Sequence, residues 1–332
     1  MKALVTGSSG FIGSHLTQAL LKKGCQVFCL VRKESDLKWT KDLNVTFAEG
    51  DYLNKDSLKK CVNGMDYVFH LGAVLNAGDW AAYYNANVRA TQNLIEACVE
   101  ADQGIRKFVF VSSIAASGPL YDNTFRDESC ACVPSSLYGK SKLYAERVVN
   151  EFGTKIPVTT ARPPIVIGTR QQELFIIMKL LEKRIFPVIG KKDQQISICF
   201  IDDLVRALIL MAEREQACSQ TYYVTDPKPH SWREMLKIIA RIMGVYPYVV
   251  KIPYPVLLTI AQFSEIYAKV TGKEPLITTR YICSTRNHYH LYSSQKIRDE
   301  LGFNYQTEFS KGMEDIVNWY KRQDPLFFLG FP

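Results

Sequence analysis

The chain has 332 residues, of which 47% are hydrophobic and 22% charged, a composition typical of a globular protein of one large or two modest domains. Disordered and fibrous proteins are therefore excluded. Its 41 Lys and Arg exceed its 33 Asp and Glu by a formal charge of +8, and because this excess is scattered it favours an anionic small molecule as partner over nucleic acid.

The sequence enters an apolar segment at residue 2 and contains no apolar run of about 18 residues, so we expect neither a signal peptide nor a membrane-spanning helix. Its nine cysteines form an odd number without Cys-x-x-Cys pairs, which is typical of reduced, buried thiols. A cytoplasmic protein without a metal site is the expectation.

Short apolar segments alternate with longer amphipathic ones in the first half of the chain. Strands are predicted at residues 2–6, 26–31, 45–48, 66–69, 107–111 and 157–161, with helices between them. This alternation indicates parallel strands joined by right-handed crossovers. The predicted fold class is a doubly wound α/β sheet of the Rossmann type.

After about residue 165 the pattern becomes mostly helical, with helices predicted near 171–182, 202–213, 231–243, 255–270 and 310–321 and one further core strand at 221–224. We predict a core of residues 1–165, completed by that strand, and a smaller substrate-binding lobe over 166–332, interleaved with it.

Two segments of this second part are unusually apolar. Residues 254–263 are apolar around most of a helix circumference, for which burial is the preferred interpretation and an apolar ligand or a membrane surface the alternatives. The tail 325–332 is too short to span a bilayer. It could pack on the protein, join a dimer contact or rest on a membrane surface.

A glycine-rich loop, Gly7-Ser8-Ser9-Gly10-Phe11-Ile12-Gly13, follows the first strand directly. Glycines let a backbone turn sharply and approach a diphosphate, whose charge then lies at the N-terminus of the next helix. A tight strand-to-helix connection is the alternative. The position at the first βα junction favours a dinucleotide site formed by Gly7, Ser9, Gly10, Phe11, Ile12 and Gly13.

The end of the second strand reads Leu30-Val31-Arg32-Lys33, without the carboxylate that would accept hydrogen bonds from the adenosine ribose. An arginine there suits a 2′-phosphate, which a carboxylate would repel. NADP(H) is therefore the favoured cofactor and NAD(H) the second choice. The alternative is that Arg32 and Lys33 are solvated loop charges.

A tyrosine and a lysine four residues apart, Tyr138 and Lys142, follow Ser136, which is predicted to begin a helix. On a helix both side chains then share one face, where an ammonium group can stabilise a phenolate and fit it for acid/base chemistry. The spacing recurs at Tyr292 and Lys296. There the following serines predict a helix that begins only after Tyr292, so this second pair is expected to be structural.

The predicted strand 107–111 ends in two hydroxyls, Ser112 and Ser113. A hydroxyl at the carboxyl end of a parallel strand can donate a hydrogen bond to a developing alkoxide. Satisfying the backbone of a turn is the alternative role.

Together these motifs resemble an extended short-chain dehydrogenase/reductase of the NAD(P)-dependent epimerase/dehydratase superfamily over nearly the whole chain. Further matching motifs are Gly50-Asp51, His70-Leu71-Gly72-Ala73, Asn87-Val88-Arg89-Ala90-Thr91, Arg162-Pro163-Pro164-Ile165-Val166-Ile167-Gly168 and Phe200-Ile201-Asp202-Asp203-Leu204. The resemblance implies three catalytic residues, Ser113, Tyr138 and Lys142. Ser113 is preferred to Ser112 because the family motif places the catalytic hydroxyl five residues before Gly118. The resemblance implies further cofactor contacts from Asp51, Tyr52, Leu71, Gly72, Ala73, Asn87, Val111, Tyr138, Lys142, Pro163, Ile165 and Val166.

Departures from the family pattern bear on the substrate. Ile114 and Ala115 replace the acidic pair of dehydratases, so dehydration is not expected. The segment 197–199 lacks the arginine that nucleotide-sugar enzymes commonly place there, which weakens an epimerase interpretation. The stretches 78–84 and 231–234 resemble the dihydroflavonol-reductase and 3β-hydroxysteroid-dehydrogenase-like branch.

The resemblance thus implies an NADP(H)-preferring oxidoreductase that moves a hydride between nicotinamide and a secondary alcohol or ketone of a small, lipophilic substrate. A nucleotide-sugar epimerase using the same three residues is the alternative. A non-catalytic redox sensor or scaffold is disfavoured because the Ser, Tyr and Lys set is complete. The resemblance also implies a homodimer through the helices at about 84–101 and 138–152.

Overall fold

A computed structural model of the chain describes residues 1–101, 104–120, 124–189, 195–271, 279 and 290–323. The predictions for the tail 325–332 lie outside the described residues.

The strands, in chain order, are β1 Lys2–Thr6, β2 Gln26–Val31, β3 Thr46–Glu49, β4 Tyr67–His70, β5 Lys107–Val111, β6 Val158–Arg162, β7 Ile165–Ile167, β8 Ile185–Ile189, β9 Gln195–Ile196, β10 Ile198–Phe200, β11 Gln220–Tyr223, β12 His230–Ser231 and β13 Tyr248–Ile252. Seven of them form one sheet in the order β11-β6-β5-β4-β1-β2-β3, and every pairing in it is parallel. The strands predicted from the sequence are those of this sheet, so the prediction is confirmed.

The helices are α1 Phe11–Lys22, α2 Lys55–Val62, α3 Trp80–Tyr83, α4 Ala90–Glu100, α5 Leu137–Glu151, α6 Gln172–Glu182, α7 Ile201–Glu213, α8 Trp232–Met243, α9 Tyr254–Thr271, α10 Gln295–Leu301 and α11 Phe309–Gln323. A π-helical segment, Tyr84–Arg89, joins α3 to α4, and a short 3₁₀ turn, Ile114–Ala116, follows β5.

Helices cover both faces of the sheet. On one face, Leu16 of α1 and Leu208 of α7 pack in the same cluster as Val5 of β1. On the other, Leu94 of α4 packs in a cluster with Phe108 of β5. Because neither face meets water, β5 and β6 are buried along their whole length, and apart from Lys107 at the start of β5 and Arg162 at the end of β6 their residues are apolar or uncharged. The predicted doubly wound architecture is confirmed.

A second, smaller and mostly helical unit contains its own apolar cluster, in which Met178 of α6, Ile239 of α8 and Ile316 of α11 meet. The short parallel pairs β7 with β10 and β8 with β13 belong to this region. The boundary near residue 165 stays a prediction.

Helix α9 is only partly buried, although burial was the preferred interpretation of its apolar sequence. Leu257 and Ala261 are buried, but apolar side chains on its opposite face are exposed. The prediction of burial was therefore wrong for the exposed face of α9. A helix that is apolar on every side can be covered by neighbouring elements on one face or on several, and its sequence does not distinguish these cases. Within the described ranges, no helix combines the length and apolarity that crossing a membrane requires.

The order of the strands fixes where a ligand can bind. The chain runs from β1 outward to β2 and β3, then returns to place β4 on the other side of β1. The loops after β1 and β4 therefore diverge and leave a crevice at the carboxyl ends of the strands, which is where open α/β sheets bind ligands.

Candidate functional site

The loop after β1 contains two glycines, Gly7 and Gly13, that no other residue could replace without strain or movement of the backbone. Gly7 has a φ of +66°, and its carbonyl accepts the N–H of Gly10 at 3.0 Å. A Cβ on Gly13 would lie 2.1 Å from that carbonyl oxygen. The N-cap residue of α1 is Gly10, which has no side chain to accept a hydrogen bond from the first N–H groups of the helix, and the first turn has no acidic residue that would repel an anion. This cradle fits an anionic diphosphate at the helix N-terminus.

Arg32 and Lys33 are both exposed directly after β2, and no carboxylate occupies either position. The backbone of Arg32 is held in a turn, because its N–H donates to the Ser35 hydroxyl at 3.0 Å and its carbonyl accepts the Ser35 N–H. Burial raises the pKa of Tyr52, while the nearby charge of Arg32 opposes that rise. A cation thus stands beside the crevice, and the residues fit a 2′-phosphate.

His70, the last residue of β4, is a buried neutral imidazole. Thr91 donates its hydroxyl hydrogen to the Asn87 carbonyl at 2.6 Å, so it accepts the Nε2–H of His70 at 2.9 Å. The Nδ1 atom is then an acceptor for the Thr6 hydroxyl at 2.8 Å. Burial, with a smaller contribution from Lys142, lowers the pKa of His70 to about 3. His70 therefore serves as a fixed hydrogen-bonding link below the crevice.

Thr6 ties the loop after β4 to the end of β1. Its Oγ1 accepts the N–H groups of Leu71 and Gly72 at 3.1 and 3.0 Å. A Cβ on Gly72 would lie 2.3 Å from the Tyr52 hydroxyl and a Cβ on Gly7 2.9 Å from the Gly72 nitrogen. Glycine at position 72 thus leaves room for Tyr52.

Asn87 links this loop to helix α5. Its side chain exchanges two hydrogen bonds with the backbone of Val74, at 2.7 and 3.0 Å, and donates a third to Ser141 of α5 at 2.9 Å. Asp51 and Ala73 lie exposed at the rim.

The three predicted catalytic residues lie around the carboxyl end of β5. Ser113 follows this strand and its hydroxyl accepts the N–H of Ala115 at 3.1 Å. Helix α5, capped by Ser136 at the Gly139 N–H, packs tightly on the turn that carries Ser113, since a Cβ on Gly139 would lie 2.1 Å from the Ala115 carbonyl oxygen. Tyr138 is half-buried on the first turn of α5, one turn before Lys142.

Lys142 is fully buried, and its Nζ donates to the Val111 carbonyl at 2.8 Å and lies 4.2 Å from the centre of the Phe110 ring. Burial lowers the pKa of Lys142 to about 7, although the Glu146 carboxylate acts to raise it. Near neutral pH the amine can therefore both hold and release a proton. The arrangement can support proton transfer at a substrate oxygen beside Tyr138.

We expect Lys142→Met to be more stable than the wild-type protein at pH 6, with an advantage that shrinks toward pH 10. The folded-state pKa lies below the unfolded value of about 10.4, so the unfolded chain binds more protons between these values and wild-type stability rises with pH there. Urea unfolding of both proteins at pH 6, 8 and 10 measures how the difference in their free energies of unfolding changes with pH. A pH-independent difference would contradict the assignment.

Glu146 and Arg162 form a buried ion pair that the sequence analysis missed. Arg162 donates from Nε and Nη2 to the two carboxylate oxygens at 2.9 and 2.6 Å. Burial opposes the charge of Arg162, but the carboxylate more than offsets it and raises the pKa of the guanidinium. The signal was present: an acid four residues after Lys142, on the buried face of α5.

The segment after Arg162 runs past the mouth of the glycine loop. Pro163 and Val166 are buried and Ile165 is exposed. A Cβ on Gly168 would lie 3.1 Å from the Phe11 ring, and His15 of α1 bonds to the Thr169 carbonyl at 3.1 Å. Segment 163–169 is thereby fixed against the start of α1, beside Phe11 and His15.

The second Tyr-x-x-x-Lys pair is structural, as predicted. Tyr292 is buried before α10 and donates its hydroxyl hydrogen to the Gly118 carbonyl at 2.8 Å. Lys296 donates to Gln220 and Thr221 of β11. Neither side chain takes part in the arrangement around Ser113.

Comparison with known proteins identifies the family. A model of the NAD dependent epimerase/dehydratase family matches residues 3–224. The chain belongs to this family. The resemblance inferred from the motifs is thus confirmed, and the chain is a member of a group of NAD(P)-dependent oxidoreductases and epimerases.

The proteins similar to this chain have names that state several different activities. A 2-alkyl-3-oxoalkanoate reductase of Shewanella oneidensis is 24% identical, over 95% of this chain and 85% of the relative. A 3-beta-hydroxysteroid dehydrogenase of Mycolicibacterium neoaurum is 25% identical, over 96% and 91%. The solved UDP-glucuronic acid 4-epimerase of Bacillus cereus, in complex with NAD, has a TM-score of 0.77, 22% identity and 98% coverage of both chains, and shares the fold.

Proposed function

We propose that this chain is an NADP(H)-preferring oxidoreductase acting on a secondary alcohol or ketone of a small, lipophilic substrate. The observation that carries the proposal is the buried Lys142, one helical turn beyond Tyr138 and bonded to the strand end that precedes Ser113. When bound, the nicotinamide supplies the hydride donor or acceptor. Proton transfer and positioning fall to the protein.

Each of the three side chains has a distinct role. Tyr138 gives the proton to the ketone oxygen during reduction and takes it from the alcohol during oxidation. Ser113 donates a hydrogen bond to the same oxygen and orients it. Lys142, with a pKa lowered to about 7 by burial, stabilises the Tyr138 phenolate and, as the resemblance implies, binds the nicotinamide ribose.

Two observations favour this reaction over the alternative, a nucleotide-sugar epimerase with a tightly held cofactor. Ser197 stands near the position where the resemblance places a diphosphate-binding arginine, and its hydroxyl is buried and accepts the Tyr292 N–H at 3.0 Å. Position 197 therefore offers no cation to a sugar nucleotide. The names of the reductase and hydroxysteroid relatives support an alkyl or steroid-like ketone. A homodimer and a cytoplasmic location remain predictions.

Replacing Arg32 tests the cofactor preference. We expect NADPH to bind about tenfold or more tightly than NADH, because a guanidinium bonds a 2′-phosphate with charge assistance. In Arg32→Ala this advantage collapses while NADH affinity changes little. Fluorescence titration of protein stripped of bound nucleotide measures both affinities.

The matched control is Arg298→Ala, which removes an exposed cation from α10, next to β11 at the opposite edge of the sheet from β2. It keeps the NADPH preference. Equal affinities in the wild-type protein would refute the NADP(H) assignment, and an NAD that cannot be stripped would favour the epimerase.

A further inference from the structure

A groove in the substrate-binding lobe combines an apolar floor with basic walls. It encloses about 640 Å³ between α8, β8 and β13, and none of its lining residues belongs to the site described above. Phe186 and Val188 of β8 form buried parts of the lining, whereas Tyr246 and Val249 are 91% and 61% exposed. Exposed aromatic and β-branched side chains of this kind mark an interaction surface when they cluster.

Three cations line this basic groove, and Asp and Glu are missing from the lining. Arg233, Lys237 and Arg241 recur every four residues and so form one stripe along α8. None of the three is ion-paired with another residue in the part of the chain that the structure describes. Unneutralised cations beside apolar side chains fit an anionic amphiphilic partner.

The next helix carries an apolar stripe that is also uncovered. On α9, which follows β13 after Pro253, exposed apolar residues recur at the spacing of one helix face and are between 47% and 81% exposed: Val256, Ile260, Phe263, Tyr267 and Val270. Such a stripe, termed the α9 stripe below, extends along four turns of the helix.

We propose that the basic groove and the α9 stripe dock this protein on the surface of a bilayer that contains anionic phospholipids. The cations of α8 meet the headgroups, and the exposed aromatic and aliphatic side chains enter the interface. Tyrosine prefers this depth, where its ring is in an apolar layer and its hydroxyl in a wet one. The contact is peripheral, since no helix among the described residues is long and apolar enough to cross the bilayer.

The charge pattern favours a bilayer over a second copy of the chain. A two-fold dimer through this face would place the same stripe of cations in both halves of the interface, with like charges close together. A small soluble anion would neutralise the groove but leave Tyr246 and the α9 stripe in water. A bilayer surface accommodates both features at once.

Vesicle co-sedimentation tests the proposal on the full chain. We expect the wild-type protein to bind phosphatidylcholine vesicles containing about 30% phosphatidylserine at least about tenfold more tightly than pure phosphatidylcholine vesicles. The triple substitution R233Q/K237Q/R241Q removes this preference. The pair F263S/V270S weakens binding to both vesicle types, because it shortens the apolar contact.

The matched control, K60Q/K228Q/R298Q, loses the same three charges from exposed positions elsewhere and keeps the preference. Unaltered melting temperatures establish that all variants are folded. Failure of the wild-type protein to bind vesicles, or equal loss in the groove and control variants, overturns the proposal. Displacement of the protein from vesicles by soluble glycerol phosphate would also overturn it, because the groove would then be a site for a free anion. So would a dimer, detected by light scattering, that F263S/V270S dissociates. None of these measurements depends on NADPH binding or turnover, so they are independent of the proposed reaction.

Discussion

Tyr138→Phe is expected to lower kcat by about 10²- to 10⁴-fold while leaving NADPH affinity within about twofold of the wild-type value. The substitution removes only the hydroxyl that exchanges a proton with the substrate oxygen. The half-buried ring and the start of α5 at Ser136 remain. The rate is measured as NADPH oxidation with the ketone that the wild-type protein reduces fastest in a panel of lipophilic ketones.

Tyr292→Phe is the matched control, because this tyrosine has the same spacing to a lysine but donates its hydroxyl to the Gly118 carbonyl. It should lower the free energy of unfolding by about 1 kcal/mol and leave kcat nearly unchanged. If Tyr138→Phe retained most of its activity, or Tyr292→Phe lost as much, Tyr138 would not be the proton donor.

Glu146→Gln is expected to lower the free energy of unfolding by about 3–5 kcal/mol, because it leaves the buried guanidinium of Arg162 without its counter-charge. Thermal and urea unfolding measure the loss. The double variant Glu146→Gln/Arg162→Met removes both charges and should be less destabilised than Glu146→Gln alone, which also covers the case in which the single variant fails to fold.

Glu213→Gln provides the comparison for an exposed pair. The Lys23–Glu213 pair lies at the surface, with both side chains more than a third exposed, so its loss should lower the free energy of unfolding by only about 0.2–1 kcal/mol. Similar losses for Glu146→Gln and Glu213→Gln would mean that burial does not govern the strength of the inner pair.

If Glu146→Gln is folded, its missing carboxylate should also move the Lys142-controlled limb of the pH–rate profile to lower pH.

Local patterns were enough to predict the central sheet and most helices. The inner strands β4 and β5 are buried on both faces, so their residues form mostly apolar runs that can be recognised without knowing the neighbouring strands, whereas the edge strand β3 is largely exposed. Gly7 and Gly13 were recognisable because a close backbone approach permits no side chain. The positions of Tyr138 and Lys142 followed from helix spacing.

Contacts between distant segments were not predictable in this way. The link from Thr6 through His70 to Thr91 joins residues that are 64 and 21 positions apart. The pairing of β1 with β4 brings Thr6 to His70, and the packing of α4 on the sheet brings Thr91 to His70. The exposed side of α9 is a similar case, since apolar residues on every side of a helix do not reveal which side a neighbour covers.

The sequence by itself therefore determined the fold class and the glycine loop and placed the candidate acid/base pair, Tyr138 and Lys142, on one helix, because these features depend on periodicity and spacing within one segment. Only the tertiary structure decided the surroundings of that pair, namely the burial that brings the pKa of Lys142 to about 7 and the Glu146–Arg162 ion pair beside it. It also decided that the basic groove and the α9 stripe of the second lobe are exposed. Burial, solvation and charge pairing are set by residues far apart in the chain, and the fold determines which of them meet.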